Sequence, residues 1–188
     1  MKIALFAAVE DEVKPIASMV HLTGIGRENA TTAMIAFMEQ HQDEAFTMVN
    51  IGTAGAHTLP VGSIVNIREI TTGGASFLKE PMLLDQLPGA PAVPSATLFS
   101  SDCFVSNHVY SADFLKKLSQ KADCFDMESS VLYTFAKQYG KPFVSYKIIS
   151  DHLDVDITEW QKRVQELNKK LAQFVTALIE GADLVPLK

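Results

Sequence analysis

Short apolar runs alternate with segments of helical period along most of this chain, and that alternation restricts the fold more than any other feature. Residues 2–8 form a short apolar run after Lys2, as expected of a strand buried on both faces. Residues 19–23 read as a second strand, turning at Gly24-Ile25-Gly26. Over 28–42, Ala30, Ala33, Met34, Phe37 and Met38 recur at helical spacing. Residues 46–51 form the next strand and run into Gly52-Thr53-Ala54-Gly55-Ala56; 61–70 is strand-like after Pro60. The stretch 71–95 carries Gly73-Gly74, Pro81, Pro88-Gly89, Pro91 and Pro94, and reads as a loop or lid. Residues 96–99 and 104–105 are candidate short strands, and 112–120 a candidate helix. A stronger helix spans 127–139, with Asp126 near its N-cap, Gly140 past its end and Pro142 beyond. A buried strand over 143–149 and a long amphipathic helix over 158–180 close the chain. Such alternation argues for an α/β fold with a mostly parallel sheet and helices on both faces.

At 188 residues, a single domain over 1–188 is the expectation, long enough to bury a substantial core. A formal charge of −6, with no Lys/Arg cluster, argues against a nucleic-acid-binding surface. The apolar run at the N-terminus is cut short by Glu10-Asp11-Glu12, which fits a first strand better than a signal peptide. No uncharged apolar window is long enough to cross a membrane, so no membrane partner is expected. Cys103 and Cys124 are too few for a disulfide framework and have no zinc-ligand spacing. They read as free thiols in a reducing cytoplasm. The five histidines are scattered. No metal and no organic cofactor are called for.

The chemistry-bearing residues gather at the predicted strand ends, where open α/β sheets bind small molecules. Glu10-Asp11-Glu12 follows the first strand, Asp126-Met127-Glu128 opens a helix, and Ser150-Asp151 ends the strand after it. Each has a bland reading as a helix start, an N-cap or a loop acid. Their coincidence at one end of the sheet demands separate accidents under those readings. Gly24-Ile25-Gly26 and Gly52-Thr53-Ala54-Gly55 let backbone N–H groups approach a ligand closely. Neither completes a dinucleotide or P-loop fingerprint.

Taken in order, Ala8-Val9-Glu10-Asp11-Glu12-Val13, Thr23-Gly24-Ile25-Gly26, Asn50-Ile51-Gly52-Thr53-Ala54-Gly55, Asp126-Met127-Glu128 and Ile149-Ser150-Asp151 resemble the nucleoside phosphorylase/nucleosidase family. Within it they look most like the methylthioadenosine/adenosylhomocysteine nucleosidase branch. The resemblance implies a three-layer αβα sandwich around a mixed, mostly parallel twisted sheet. It also implies a homodimer and cleavage of the N-glycosidic bond of a purine nucleoside. In that scheme Asp151 matches the acid that protonates the purine, oriented by Ser150 beside the base. To do so Asp151 must keep a proton near neutral pH, through a dry pocket or a neighbouring carboxylate. Glu12 matches the base that activates water. Glu128 matches the carboxylate that grips the ribose hydroxyls, with Met127 against the sugar and Thr53 near the water and ribose. Phe104 and Val105 match the purine-stacking segment, and Lys147 a possible water or ribose contact.

The resemblance also separates water from phosphate as nucleophile. Phosphorylases of the superfamily carry an Arg where this chain has Asn50, and a basic loop where it has Glu10-Asp11-Glu12. An acidic loop repels phosphate but can deprotonate water. Departures from the branch are a short Val13-to-Gly24 connection, where a hairpin's worth of sequence is usual, Lys147 in place of Arg, and Asp126 in place of Glu. Three readings stay open: a nucleosidase acting on a 5′-modified adenosine, a futalosine hydrolase or purine nucleoside phosphorylase, and a nucleoside-binding protein without turnover.

Overall fold

β1 (Lys2–Ala7) passes into one helical turn, α1 (Glu10–Val13), then a 3-10 segment (Lys14–Met19) and β2 (Val20–Leu22). There follow α2 (Arg27–His41), β3 (Thr47–Ala56), β4 (Ile64–Thr72), β5 (Met82–Leu83) and β6 (Ser95–Ser100). The chain ends through α3 (Ala112–Ser119), β7 (Cys124–Asp126), α4 (Ser129–Gln138), β8 (Phe143–Asp151), α5 (Ile157–Leu178) and β9 (Asp183–Leu184). This computed structural model describes residues 1–72 and 81–187.

The sheet is mixed. β1 runs parallel to β2, β3 and β9; β3 is parallel to β8, β4 to β6, and β6 to β7. The pairs β3–β7, β4–β5 and β4–β8 are antiparallel. Strands β3, β8, β4, β6 and β7 therefore close a ring, and β1, β2 and β9 extend from it as an open wing. Alternation along β1 divides the core between two faces. Ala4 and Phe6 pack with Met34, Phe37 and Met38 of α2 and Leu132 of α4. Ile3, Leu5 and Ala7 pack with Leu171, Ala172, Val175 and Leu178 of α5. Both clusters are almost fully buried, and burial of each large side chain is worth about 1.5–3 kcal/mol.

Several sequence expectations are revised. Residues 104–105 form no strand; they lie in the irregular segment between β6 and α3. Two apolar residues carry no periodicity that could distinguish a strand from a buried loop. The 71–95 stretch is not uniformly loop: Thr71 and Thr72 end β4, Met82 and Leu83 form β5, and Leu87 is buried in the core under α5. The part of that expectation falling on residues 73–80 lies outside the described residues. The helix expected to begin at Met127 begins two residues later, with Glu128 at its N-cap position. Gly140, just past its end, takes the left-handed conformation (φ +63°) that favours glycine.

Candidate active site

One cleft, with a void of about 550 Å³ counting its open mouth, lies where the wing joins the ring. Its walls include Glu12, Thr53, Phe104, Glu128, Asp151 and Trp160. Ala8, Val105, Asp126 and Met127 also face it, and its mouth carries Ile25 and half-exposed Ile157. Among the described residues lining the cleft there are four carboxylates and no Lys or Arg.

The glycine-rich run that looked like a strand-ending turn is strand throughout, since β3 continues to Ala56. Its glycines make room for the side chains packed over them, and Gly55 also lines the cleft. A Cβ on Gly52 would lie 3.0 Å from Glu12 Oε1, and one on Gly55 would lie 2.8 Å from Leu153 and 3.0 Å from Asp151 Oδ1. Glu12, delivered by α1 over Gly52, is buried. Its Oε1 accepts from the backbone N–H and the hydroxyl of Thr53, both at 2.7 Å. Its Oε2 accepts from Ala8 N at 3.2 Å and Val9 N at 3.4 Å.

Asp151 owes its aim to a bulge. Ala54 pairs with Ile149 but Gly55 pairs with Asp151, so Ser150 is the extra residue in β8. Bulges redirect the side chains that follow them and recur beside active sites. The Asp151 carboxyl group receives the Ser150 hydroxyl at 2.6 Å and Leu153 N–H at 2.9 Å. Leu153 holds that N–H in place from a left-handed backbone (φ 64°), rare for a residue with a branched side chain. Burial pushes the Asp151 pKa above the usual carboxylate value, against the opposing pull of the Ser150 and Leu153 hydrogen bonds.

β7 runs opposite to β3, with Phe125 facing Gly55 and Cys124 facing Ala56, so Asp126-Met127-Glu128 heads back along β3. This brings Asp126 to Lys147, the β8 residue registered on Gly52. Lys147 Nζ lies 2.9 Å from Asp126 Oδ2, and both side chains are buried. Ser129 donates to the same carboxylate through its hydroxyl and its backbone N–H. Asn50 Nδ2 donates to the Ser129 and Ser145 hydroxyls at 2.7 and 3.3 Å. Burial alone would lower the Lys147 pKa, but Asp126, Glu128 and Glu12 together raise it. Glu128 receives Gly26 N–H at 2.6 Å. Burial first, and then the charge of Asp126, push its pKa up from 4.5 to about 7.

The fold thus brings Glu12, Thr53, Phe104, Val105, Met127, Glu128 and Asp151 to one cleft. Ser150 stands behind it, with its hydroxyl on Asp151 and within 3.4 Å of Ala54 O. Lys147 is not among the lining residues; its ammonium is spent on Asp126. Asp126 therefore has a definite place as the counter-ion of Lys147 and the receiver of the first N–H of α4. Trp160 and Ile157 were not singled out from sequence. Trp160 donates its indole N–H to Thr53 Oγ1 at 3.1 Å, across 107 residues of chain. Among the described residues, no group of three or more His, Cys, Asp or Glu is arranged to hold a metal ion. No helix there is long and apolar enough to cross a membrane.

A family model described as the phosphorylase superfamily matches residues 84–180, just over half of the chain. The chain belongs to the phosphorylase superfamily. A 5′-methylthioadenosine/S-adenosylhomocysteine nucleosidase of Shewanella baltica is 25% identical over 206 residues, covering 83% of this chain and 86% of that protein. A second protein of the same name, from another Shewanella, is 23% identical and covers 88% of this chain and 80% of its own. Among solved structures, the Neisseria meningitidis nucleosidase of that name, in complex with methylthio-immucillin-A, matches with a TM-score of 0.77. It is 18% identical and covers 95% of this chain and 98% of its own. The futalosine hydrolase of Helicobacter pylori matches with a TM-score of 0.75 at 15% identity, covering 96% and 97%. At these identities the structural likeness is one of fold.

Proposed function

We propose that the protein is a purine nucleosidase that hydrolyses the N-glycosidic bond of a 5′-modified adenosine and releases adenine. One observation favours water over phosphate as nucleophile: the described walls of the cleft carry four carboxylates and no cation. Phosphorolysis needs basic groups to hold the incoming anion. Asn50, where the superfamily's phosphorylases have Arg, is buried and turned to Ser129 and Ser145. The relatives named for methylthioadenosine and adenosylhomocysteine support the choice of nucleoside.

In this reading the C1′–N9 bond breaks with its electron pair passing to the purine. Asp151, whose pKa burial raises, gives a proton to N7, and the Ser150 hydroxyl orients it. Positive charge develops on the ribose ring, and ionised Glu128 both grips the ribose hydroxyls and stabilises that charge. Hydroxyl donors from the sugar favour the ionised form of a group poised near neutrality. Met127 packs against the sugar and Phe104, with Val105, against the base. Water adds to C1′ and Glu12 takes its proton. Adenine and a free 5′-substituted ribose leave, and proton exchange with solvent resets Asp151 and Glu12. Acid and base on opposite sides of the scissile bond parallel two-carboxylate glycoside hydrolysis. Lys147 acts from behind the site by holding Asp126.

The test is to incubate the pure protein with methylthioadenosine, adenosylhomocysteine, futalosine and inosine, with and without phosphate, and to follow free base. Phosphate-independent adenine release is expected. Release that requires phosphate contradicts hydrolysis, and release from futalosine alone reassigns the substrate. Ligand-induced thermal stabilisation without any cleavage would reassign the protein as a nucleoside binder.

A further inference from the structure

The hydrogen-bond polarity around Glu12 leads to a role for the chain's single tryptophan. Trp160 lies in the first turn of α5, which is fixed by Asp156: its carboxylate accepts from Thr158 N at 2.8 Å and Glu159 N at 2.9 Å. The indole ring is buried against Val155 and Val164, with Val9, Ile25 and Phe104 at its edges. An indole N–H can only donate. At 3.1 Å from Thr53 Oγ1 it occupies an acceptor site on that hydroxyl. Thr53 has one hydroxyl proton, and Glu12 Oε1 is 2.7 Å away with no proton of its own to offer while the carboxylate is ionised. The proton must therefore point to Oε1. Thr53 N–H reaches the same oxygen at 2.7 Å, so both in-plane acceptor sites of Oε1 are filled by short bonds. Oε2 receives only the longer contacts from Ala8 and Val9 N–H, at 3.2 and 3.4 Å.

We propose that Trp160 is a positioning residue: through Thr53 it commits Glu12 Oε1 to accepting hydrogen bonds and reserves Oε2 as the atom that takes the proton from water. This rests on the reading of Glu12 as the base. Without the indole donor, the Thr53 hydroxyl can rotate and offer Oε1 a lone pair instead of a proton. The two oxygens then compete, and part of the population holds the base in the wrong orientation. The loss falls on the chemical step rather than on nucleoside binding, because the indole N–H is committed to Thr53 and the Thr53 hydroxyl proton to Glu12, so neither donor is free for the substrate.

The test is a double-mutant cycle on Trp160→Phe and Thr53→Val, read as kcat and KM for phosphate-independent adenine release. Trp160→Phe keeps an aromatic ring and removes the donor. It is expected to lower kcat about fivefold to tenfold, the rate equivalent of one hydrogen bond, with KM within about twofold. In the Thr53→Val background the same change is expected to have no further effect on kcat. In Thr53→Ser, which keeps the hydroxyl, it is expected to cost the full factor again. Effects that multiply in the valine background, or a Trp160→Phe change confined to KM, would overturn the proposal in favour of simple packing. The lone indole gives an independent readout: its single 15N–H NMR resonance is expected to shift and lose exchange protection in Thr53→Val. An unmoved resonance contradicts the Trp160–Thr53 bond. If the wild-type protein cleaves no nucleoside, the hydrolase reading and the role assigned to Oε2 fall together, whereas the resonance still decides the bond.

Discussion

Two buried acids stand on strands that both pair with β3, and their surroundings treat them oppositely. Asp126, at the end of β7, lies 2.9 Å from the Lys147 ammonium and accepts two hydrogen bonds from Ser129. Asp151, at the end of β8, has a hydroxyl and one backbone N–H, and only distant help from Arg163. A buried carboxyl group is neutralised either by a partner cation or by a proton. Lys147 pairs with Asp126, whereas Asp151 has no such partner and its pKa is raised by burial, which suits it to the proton-donor role proposed for it. Glu128 stands between them in character, poised at about 7 by burial and by the charge of Asp126.

The largest effect expected from breaking this contrast is at Lys147. Lys147→Met strands Asp126 as a buried, unpaired charge and should cost about 3–5 kcal/mol in urea unfolding at neutral pH. Adding Asp126→Asn should recover most of that loss. A single substitution no worse than the pair would mean that Lys147 is not the counter-ion that matters.

A smaller effect concerns pH. The folded-state pKa of Glu128 lies above its unfolded value of 4.5, so the protonated form favours folding. Its contribution is complete below 4.5 and is lost as pH rises through about 7. Asp151, raised in the same direction, adds to the trend. Glu128→Gln removes this titration, so its stability relative to wild type should grow between pH 5 and pH 8 by roughly 2–3 kcal/mol. A relative stability that is flat with pH would place Glu128 in the ordinary carboxylate range.

Smaller again in stability, but sharp in its consequence for activity, is Gly55→Ala. The new methyl group would meet Leu153 at 2.8 Å and Asp151 at 3.0 Å. About 1–3 kcal/mol of overpacking is expected from thermal unfolding. Displacement of the acid should lower kcat by roughly a hundredfold. Gly140→Ala, with open space around its Cβ, serves as the control: it is strained in its backbone but far from the acids.

How far these residues were legible in sequence follows from how local their causes are. The helices were read from the spacing of Met34, Phe37 and Met38, and the end of α4 from Gly140, because both signals span only a few residues. The acidic clusters at 10–12, 126–128 and 151 stood out for the same reason, since each follows or ends an apolar run, while the choice of Glu12, Glu128 and Asp151 within them came from the family resemblance. The use of Gly52 and Gly55 was missed: a glycine that makes room for a carboxylate and one that ends a strand look alike in sequence. Lys147–Asp126 and Trp160–Thr53 could not be seen, because the first depends on register set by a ring of five strands and the second on how α5 packs against β3. The antiparallel placement of β7 against β3 creates the first pair. The Ser150 bulge, which aims Asp151, likewise exists only relative to the partner strand.

The most direct test of the contrast is to change the acid and the leaving group together. Asp151→Asn keeps the shape of the side chain and removes the transferable proton. For the preferred purine nucleoside, kcat should fall by roughly a thousandfold, while binding of the nucleoside is largely kept. A riboside with a 4-nitrophenoxide leaving group needs no protonation, and there the variant should retain a rate close to wild type. Equal losses on both substrates, or wild-type turnover of the purine nucleoside by Asp151→Asn, would contradict the assignment of Asp151 as the acid that the missing cation creates.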